Sequence, residues 1–244
     1  MLRGAFGATL KRVASAETYA RVFEPKSHSG PSGLADPPRP FVFRARHLDG
    51  LTIAPGEAFH FDVNIFDVRG DAVSCFIQVF SEFGAAKLRL VDRESEPQRL
   101  SLDPAVTPVQ KVRIEFLTPT ELKSKDQIVD RPEFPILFGR IRDRVSTLSA
   151  LYGSGPLPID FAETGERAAR VRLAQCDIRT VSVERRSGRT GKTHPIGGFI
   201  GSAEYEGELA EFLPYLEAAR WTGVGRQTVW GKGEIRTLMP RCPI

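Results

Sequence analysis

A chain of 244 residues with 41% hydrophobic and 26% charged residues can bury a real core and divide into two ordinary domains, which excludes a disordered or fibrous protein. A formal charge of +4 and a pI near 9.1 admit an anionic partner but fall short of a histone-like or polybasic protein. Cys75, Cys176 and Cys242 are odd in number, far apart and without metal-ligand spacing, so neither a disulfide framework nor a metal site is expected. No apolar run approaches the roughly 20 residues of a membrane span, and MLRGAFGATLKRV has no continuous apolar stretch of the secretory kind. The expectation is a cytoplasmic protein without membrane contact or cofactor.

Leu2, Phe6, Leu10 and Val13 recur at helical spacing, with Arg3, Lys11 and Arg12 on the other side. Residues 25 to 40 are too rich in Pro, Gly and Ser for regular structure and read as a long loop, a common place for function. Phe41 to Arg46 is predicted as a strand. From 58 to 66, Phe59, Phe61, Val63 and Ile65 alternate with His60, Asp62 and Asn64, the pattern of a half-buried strand. Asp71 can cap a helix with a stripe of Val73, Phe76, Ile77 and Phe80, ending near Gly84. Lys87 to Val91 reads as another strand. Prolines 97, 104 and 108 then mark a linker, placing a domain boundary near Pro108 and giving domains 1–108 and 109–244.

In the second half, Val112, Ile114 and Phe116 alternate with Arg113 and Glu115 as a strand. A helix is predicted over 133–152 on Phe134, Leu137, Phe138, Ile141, Val145 and Leu148, ended by Gly153. Val171 to Arg185 is strand-like with changes of apolar parity that call for a bulge. RRSGRTGKTHP makes a basic hairpin tip. A return strand from 199 to 205, a helix from 208 to 219 that Pro214 either delays or kinks, and a last strand from 234 to 238 complete the order strand, helix, strand, strand, helix, strand. That order predicts an α+β, ferredoxin-like unit, also used by RNA-recognition folds. The first half shows the same order without an opening strand. Either the start is set too late, or a segment is lost, or another element fills the gap; if nothing fills it, two neighbouring strands lack ladder partners and Leu2 and Phe6 are poorly covered.

Before the last strand lies GVGRQTVWGKG, where Gly223, Gly225, Gly231 and Gly233 bracket a short segment. Arg220, Arg226, Lys232 and Arg236 surround it, with Trp221 and Trp230 between them. Glycines permit positive φ or a close approach by another molecule, and cations interleaved with aromatics suit phosphates and unstacked bases. Local composition fits equally a glycine-rich hairpin with ordinary surface arginines.

Two tandem ferredoxin-like units ending in this glycine pattern resemble the CRISPR-associated endoribonucleases that process precursor CRISPR RNA, members of the RAMP superfamily. LRGAFG, GPSGLADPPRPFVF, LTPTELKS and GGFIGSAEYEG carry the likeness, together with EFLPYLEAARWTGVGRQTVWGKG, and it spans most of the chain. The resemblance implies metal-independent cleavage of CRISPR repeat RNA by attack of a 2′-hydroxyl, leaving a 2′,3′-cyclic phosphate and a 5′-hydroxyl. It also implies an acid-base histidine in the loop after the first helix, with a tyrosine and a lysine near. His28 beside Lys26, with Tyr19 before them, fits first; His194 next to the basic hairpin Arg185, Arg186, Arg189 and Lys192 is second. Each has an ordinary alternative, a solvated loop histidine and a hairpin-end hydrogen bond. His47 and His60 read as plain surface residues, and Tyr152 and Phe199 as core. The expected RNA-binding set is Gly223, Gly225, Arg226, Gly231, Lys232 and Gly233 with the hairpin. The expected partners are precursor CRISPR RNA and CRISPR effector subunits, in a monomer or homodimer. A non-catalytic RAMP subunit holding CRISPR RNA, or an interaction module without RNA, are the competing classes.

Overall fold

In a computed structural model, residues 2–25, 37–83, 88–182, 184–186, 193–195 and 197–239 are described. The first half supplies helices α1 (Leu2–Val13) and α2 (Ala16–Phe23), strands β1 (Phe41–Arg44) and β2 (Asp62–Ile65), and helix α3 (Ala72–Ser81). The second half runs through β3 (Lys111–Thr120), β4 (Lys123–Ser124), β5 (Gln127–Ile128), α4 (Phe134–Tyr152) and α5 (Phe161–Ala168). It continues with β6 (Arg172–Val181), β7 (Glu184–Arg186), β8 (Thr193–Pro195), β9 (Gly198–Glu206), α6 (Leu213–Thr222) and β10 (Ile235–Leu238).

The second half is organised by an antiparallel sheet in the order β10-β3-β9-β6, with α4 and α6 as its crossovers, which is the ferredoxin-like arrangement. Alternation decides which face is covered: Val112, Ile114 and Phe116 of β3 are buried while Arg113 and Glu115 point away. Phe134, Leu137, Phe138 and Ile141 of α4 are fully buried against Tyr205, whose hydroxyl donates to Pro132 O at 2.7 Å. The bulge expected in β6 is present, since Leu173 faces Tyr205 and Gln175 faces the adjacent Glu204, leaving Ala174 unmatched. Of the two outcomes expected at Pro214 the late start is found: α6 begins at 213, with Pro214 in its first turn, where its missing N–H costs nothing.

The first half departs further from expectation. Its sheet has two strands, with Phe41 facing Ile65 and Arg44 facing Asp62, and β2 covers only the end of the predicted 58–66 strand. No ladder forms over 88–91: Leu88 packs on the first core, but Leu90 and Val91 are exposed and Asp92, Arg93 and Glu94 follow, so the apolar contact is too short to hold a strand down. On α3 the buried face is Ala72, Cys75, Phe76 and Val79, rotated from the predicted stripe, and Val73 is exposed. Asp71 does not cap α3 with its side chain; its Oδ1 accepts from Arg21 at 3.3 Å. Of the alternatives for the missing opening strand, other elements cover Phe6. Phe6 is fully buried, with Phe41, Phe43, Phe76 and Phe80 rings centred 4.7–5.6 Å away. Val229 and Trp230, from the glycine-rich loop, join this cluster.

Two helices were not foreseen. Ser15 accepts from Thr18 N at 3.1 Å to start α2, and Asp160 accepts from Glu163 N at 2.9 Å to start α5.

Candidate nucleic-acid interface

The loop from 223 to 233 begins where α6 stops at Gly223, φ +71°, whose N–H returns to Ala219 O at 2.8 Å. Val224 N–H donates to Gly233 O at 2.9 Å and closes the base. Gly233 N–H reaches Pro119 O at 3.2 Å and Arg226 N–H reaches Glu121 O at 3.0 Å, so the loop is seated on the end of β3. The glycines serve these close approaches. A Cβ at Gly225 would lie 2.3 Å from Glu121 O, one at Gly233 1.9 Å from Val224 O, and one at Gly231 3.2 Å from Phe43 O of β1. The loop therefore grips the protein's own backbone. Among the described residues, no backbone carbonyl accepts the N–H of Gly225, Gln227 or Lys232, and these donors suit an anion.

The cations around the loop differ in availability. Arg226 forms an ion pair with Glu121, and Arg236 Nε donates to Glu115 at 2.8 Å. Arg220 is exposed, its guanidinium 5.8 Å from the centre of the Trp221 ring. Lys232 is half-buried; burial pulls its amine below the usual lysine range, against the opposing pull of Asp49.

The C-terminal carbonyls of α6 lack helical partners and carry the negative end of the helix dipole. Residues from both halves of the chain cap them. Arg44 Nη2 donates to Arg220 O at 2.8 Å and Trp221 O at 3.0 Å, Asn64 Nδ2 to Trp221 O at 2.9 Å, and Arg144 Nε to Thr222 O at 2.8 Å. Arg144 is buried within α4, and that burial, then the charge of Arg44, lowers its pKa to about 9. The C-terminal end of α4 is capped likewise, with Val68 N–H on Tyr152 O at 3.0 Å and Arg69 Nε on Gly153 O. Tyr152 OH donates to Arg21 O at 3.3 Å, and burial pushes this phenol up to about 12.

Of the residues named from sequence, Tyr19 is half-buried on α2, its hydroxyl 3.3 Å from Glu24 Oε1. His28, Lys26, Arg189 and Lys192 lie outside the described residues. The basic hairpin is present as β7 paired with β8, where Arg185 faces His194 and Arg186 faces Thr193. Tyr152 and Phe199 are core residues as expected. Sequence reasoning missed Arg44, Asn64 and Arg144. For Arg144 a signal existed, a cation three residues after Ile141 inside the apolar stripe of α4; Arg44 and Asn64 offered none. It also missed that His47 and His60, 13 residues apart, stack with ring centres 4.5 Å apart.

Among the described residues, no three or more His, Cys, Asp or Glu side chains are grouped to hold a metal ion. No curated protein matches the chain in sequence. A family described as an N-terminal domain matches residues 1–105. The Cas6 (TTHB231) product complex aligns with a TM-score of 0.62 at 20% identity, covering 97% of this chain and 92% of that one. Thermus thermophilus Cas6 (TTHB231) aligns with a TM-score of 0.55 at 20% identity, over 97% and 89%. The Cas6 (TTHA0078) product complex gives 0.51 at 16%, over 97% and 91%. These likenesses establish a shared fold along nearly the whole chain. The family described as CRISPR-associated endoribonuclease Cas6 matches residues 114–235, half of the chain, from the first strand of the four-stranded sheet through the glycine-rich loop to its last strand, and the chain belongs to that family.

Proposed function

We propose that this protein cuts precursor CRISPR RNA within its repeat and needs no metal ion to do so. A ribose 2′-hydroxyl attacks the adjacent phosphate and the 5′-oxygen leaves, giving a 2′,3′-cyclic phosphate and a 5′-hydroxyl. The match to the Cas6 endoribonucleases across the sheet and loop carries this reading. Its chemical support is that RNA supplies its own nucleophile, so proton transfer and stabilisation of the crowded phosphate suffice. His28 takes the 2′-hydroxyl proton and returns one to the leaving oxygen, assisted by Lys26 and Tyr19. The N–H groups of Gly225 and Lys232, with the ammonium of Lys232, hold the RNA backbone. Arg185, Arg186, Arg189, Lys192 and His194 on the hairpin hold the flanking repeat.

The test is cleavage of a labelled repeat RNA in excess EDTA by the wild type, His28→Ala and His194→Ala. One specific cut with a cyclic phosphate end is expected from the wild type, and a rate lower by about 10²–10⁴-fold in His28→Ala. Cleavage abolished by EDTA and restored by magnesium sinks the metal-free route. Tight binding with no cut under either condition makes the protein a non-catalytic CRISPR RNA-binding subunit instead.

A further inference from the structure

We propose that His47 and His60 form a platform on which an unpaired base of the RNA stacks, beside the glycine-rich loop. The idea rests on the RNA-processing reading above and adds a site to it. His47 lies in the single 3-10 turn after β1, and His60 precedes β2. Because Arg44 faces Asp62 in the antiparallel pair, the chain leaving β1 and the chain entering β2 meet at the same end. The two imidazoles stack there, ring centres 4.5 Å apart and planes inclined by 21°. His47 Nε2 is 2.8 Å from His60 O. A carbonyl only accepts, so Nε2 carries a proton and donates, which fixes the ring.

Both residues are exposed, so the pair is an aromatic stack held in place at the surface. Its surroundings suit a nucleotide. Arg46, next to His47, has its Nε 3.8 Å from Glu234 Oε1, directly after Gly233. Asp49, two residues beyond His47, acts on the Lys232 amine. The turn that carries His47 is thus tied to the end of the glycine-rich loop through Arg46, and Arg46 and Lys232 supply positive charge for the phosphate flanking a stacked base, with Asp49 and Glu234 as the opposing carboxylates. Imidazole faces accept any base, so the ligand is a single-stranded ribonucleotide of unrestricted base identity.

The measurement is the affinity of the full chain for a repeat RNA made uncleavable by a 2′-deoxy at the cut site, with 2-aminopurine placed in turn at each unpaired position. Variants are His47→Ala, His60→Ala, His47→Phe and His60→Phe. Each alanine is expected to weaken binding by about tenfold, the scale of one base–aromatic stack, and each phenylalanine to restore it. One 2-aminopurine position should be quenched by the wild type and the Phe variants but not by the Ala variants. Alanine variants that bind and quench like the wild type overturn the proposal. Phenylalanine variants as weak as alanine also overturn it, because the imidazoles would then act by charge or proton. If the alanine variants fail, the Phe variants still decide, since a folding defect is separated by their unfolding midpoints. A wild type that binds no repeat RNA overturns the functional reading itself, and this proposal with it.

Discussion

At Gly233 two constraints act on one residue: φ is +66°, and the space for a Cβ is occupied by Val224 O at 1.9 Å. A left-handed conformation costs an ordinary residue roughly 1–2 kcal/mol, and a contact under 3 Å with backbone cannot be relieved by turning a side chain. Gly225 has the same problem against Glu121 O at 2.3 Å, whereas Gly231 meets Phe43 O only at 3.2 Å. Gly233→Ala and Gly225→Ala are therefore expected to lower the unfolding midpoint and RNA affinity more than Gly231→Ala, which should lose on the order of 1–2 kcal/mol from its φ of +82° alone. Equal losses at the three positions in thermal unfolding would show that the close approaches do not matter. The four glycines were visible in the sequence as a loop that grips something. That Glu121 and Phe43 are among the things gripped was not, because those residues lie on other elements.

Among the elements, α6 has its end defined by residues from outside it. Arg44 bonds two of its last carbonyls, and Arg144 bonds a third. Among the described residues, Arg44 Nη1 and Arg144 Nη2 are buried without a hydrogen-bond partner, and the charge of Arg44 acts on Arg144. Removing either cation leaves a carbonyl undonated, at about 1–3 kcal/mol, but also relieves the repulsion between the two. Arg44→Met and Arg144→Met should each be milder than their lost bonds suggest, and the double variant should cost more than the two singles summed. A denaturant-unfolding cycle that is additive within error would remove the repulsion from this account. Elements with a strong internal pattern, β3 by alternation and α4 by its apolar stripe, were legible residue by residue. The 88–91 strand was not, since a short apolar run reads as a strand whether or not a neighbour exists to pair with it. By contrast α5 carries a readable start signal, Asp160 followed by Glu163.

For the whole molecule, the seam between the halves is made of helix ends and one loop. The Tyr152 hydroxyl crosses it to Arg21 O, and burial holds that phenol at about 12 against about 10 for a free tyrosine. The folded state thus keeps this proton more tightly than the unfolded chain. The stability it contributes is complete below pH 10 and is lost as pH rises toward 12. Alkaline unfolding curves of Tyr152→Phe are expected to be flatter than wild type between pH 10 and 12. Parallel curves would mean that other groups, such as the buried Tyr205, carry that dependence. The sequence by itself determined the four-stranded ferredoxin-like unit, its bulge and the glycine-rich loop, because alternation, helical periodicity and glycine placement are local signals written along each segment. Tertiary structure alone decided what fills the first core and caps α6, and which histidines meet. Val229 reaches the Phe6 cluster, Arg44 reaches Trp221 and His47 reaches His60 across separations that leave no pattern in the chain, since such contacts are set by where whole elements come to rest.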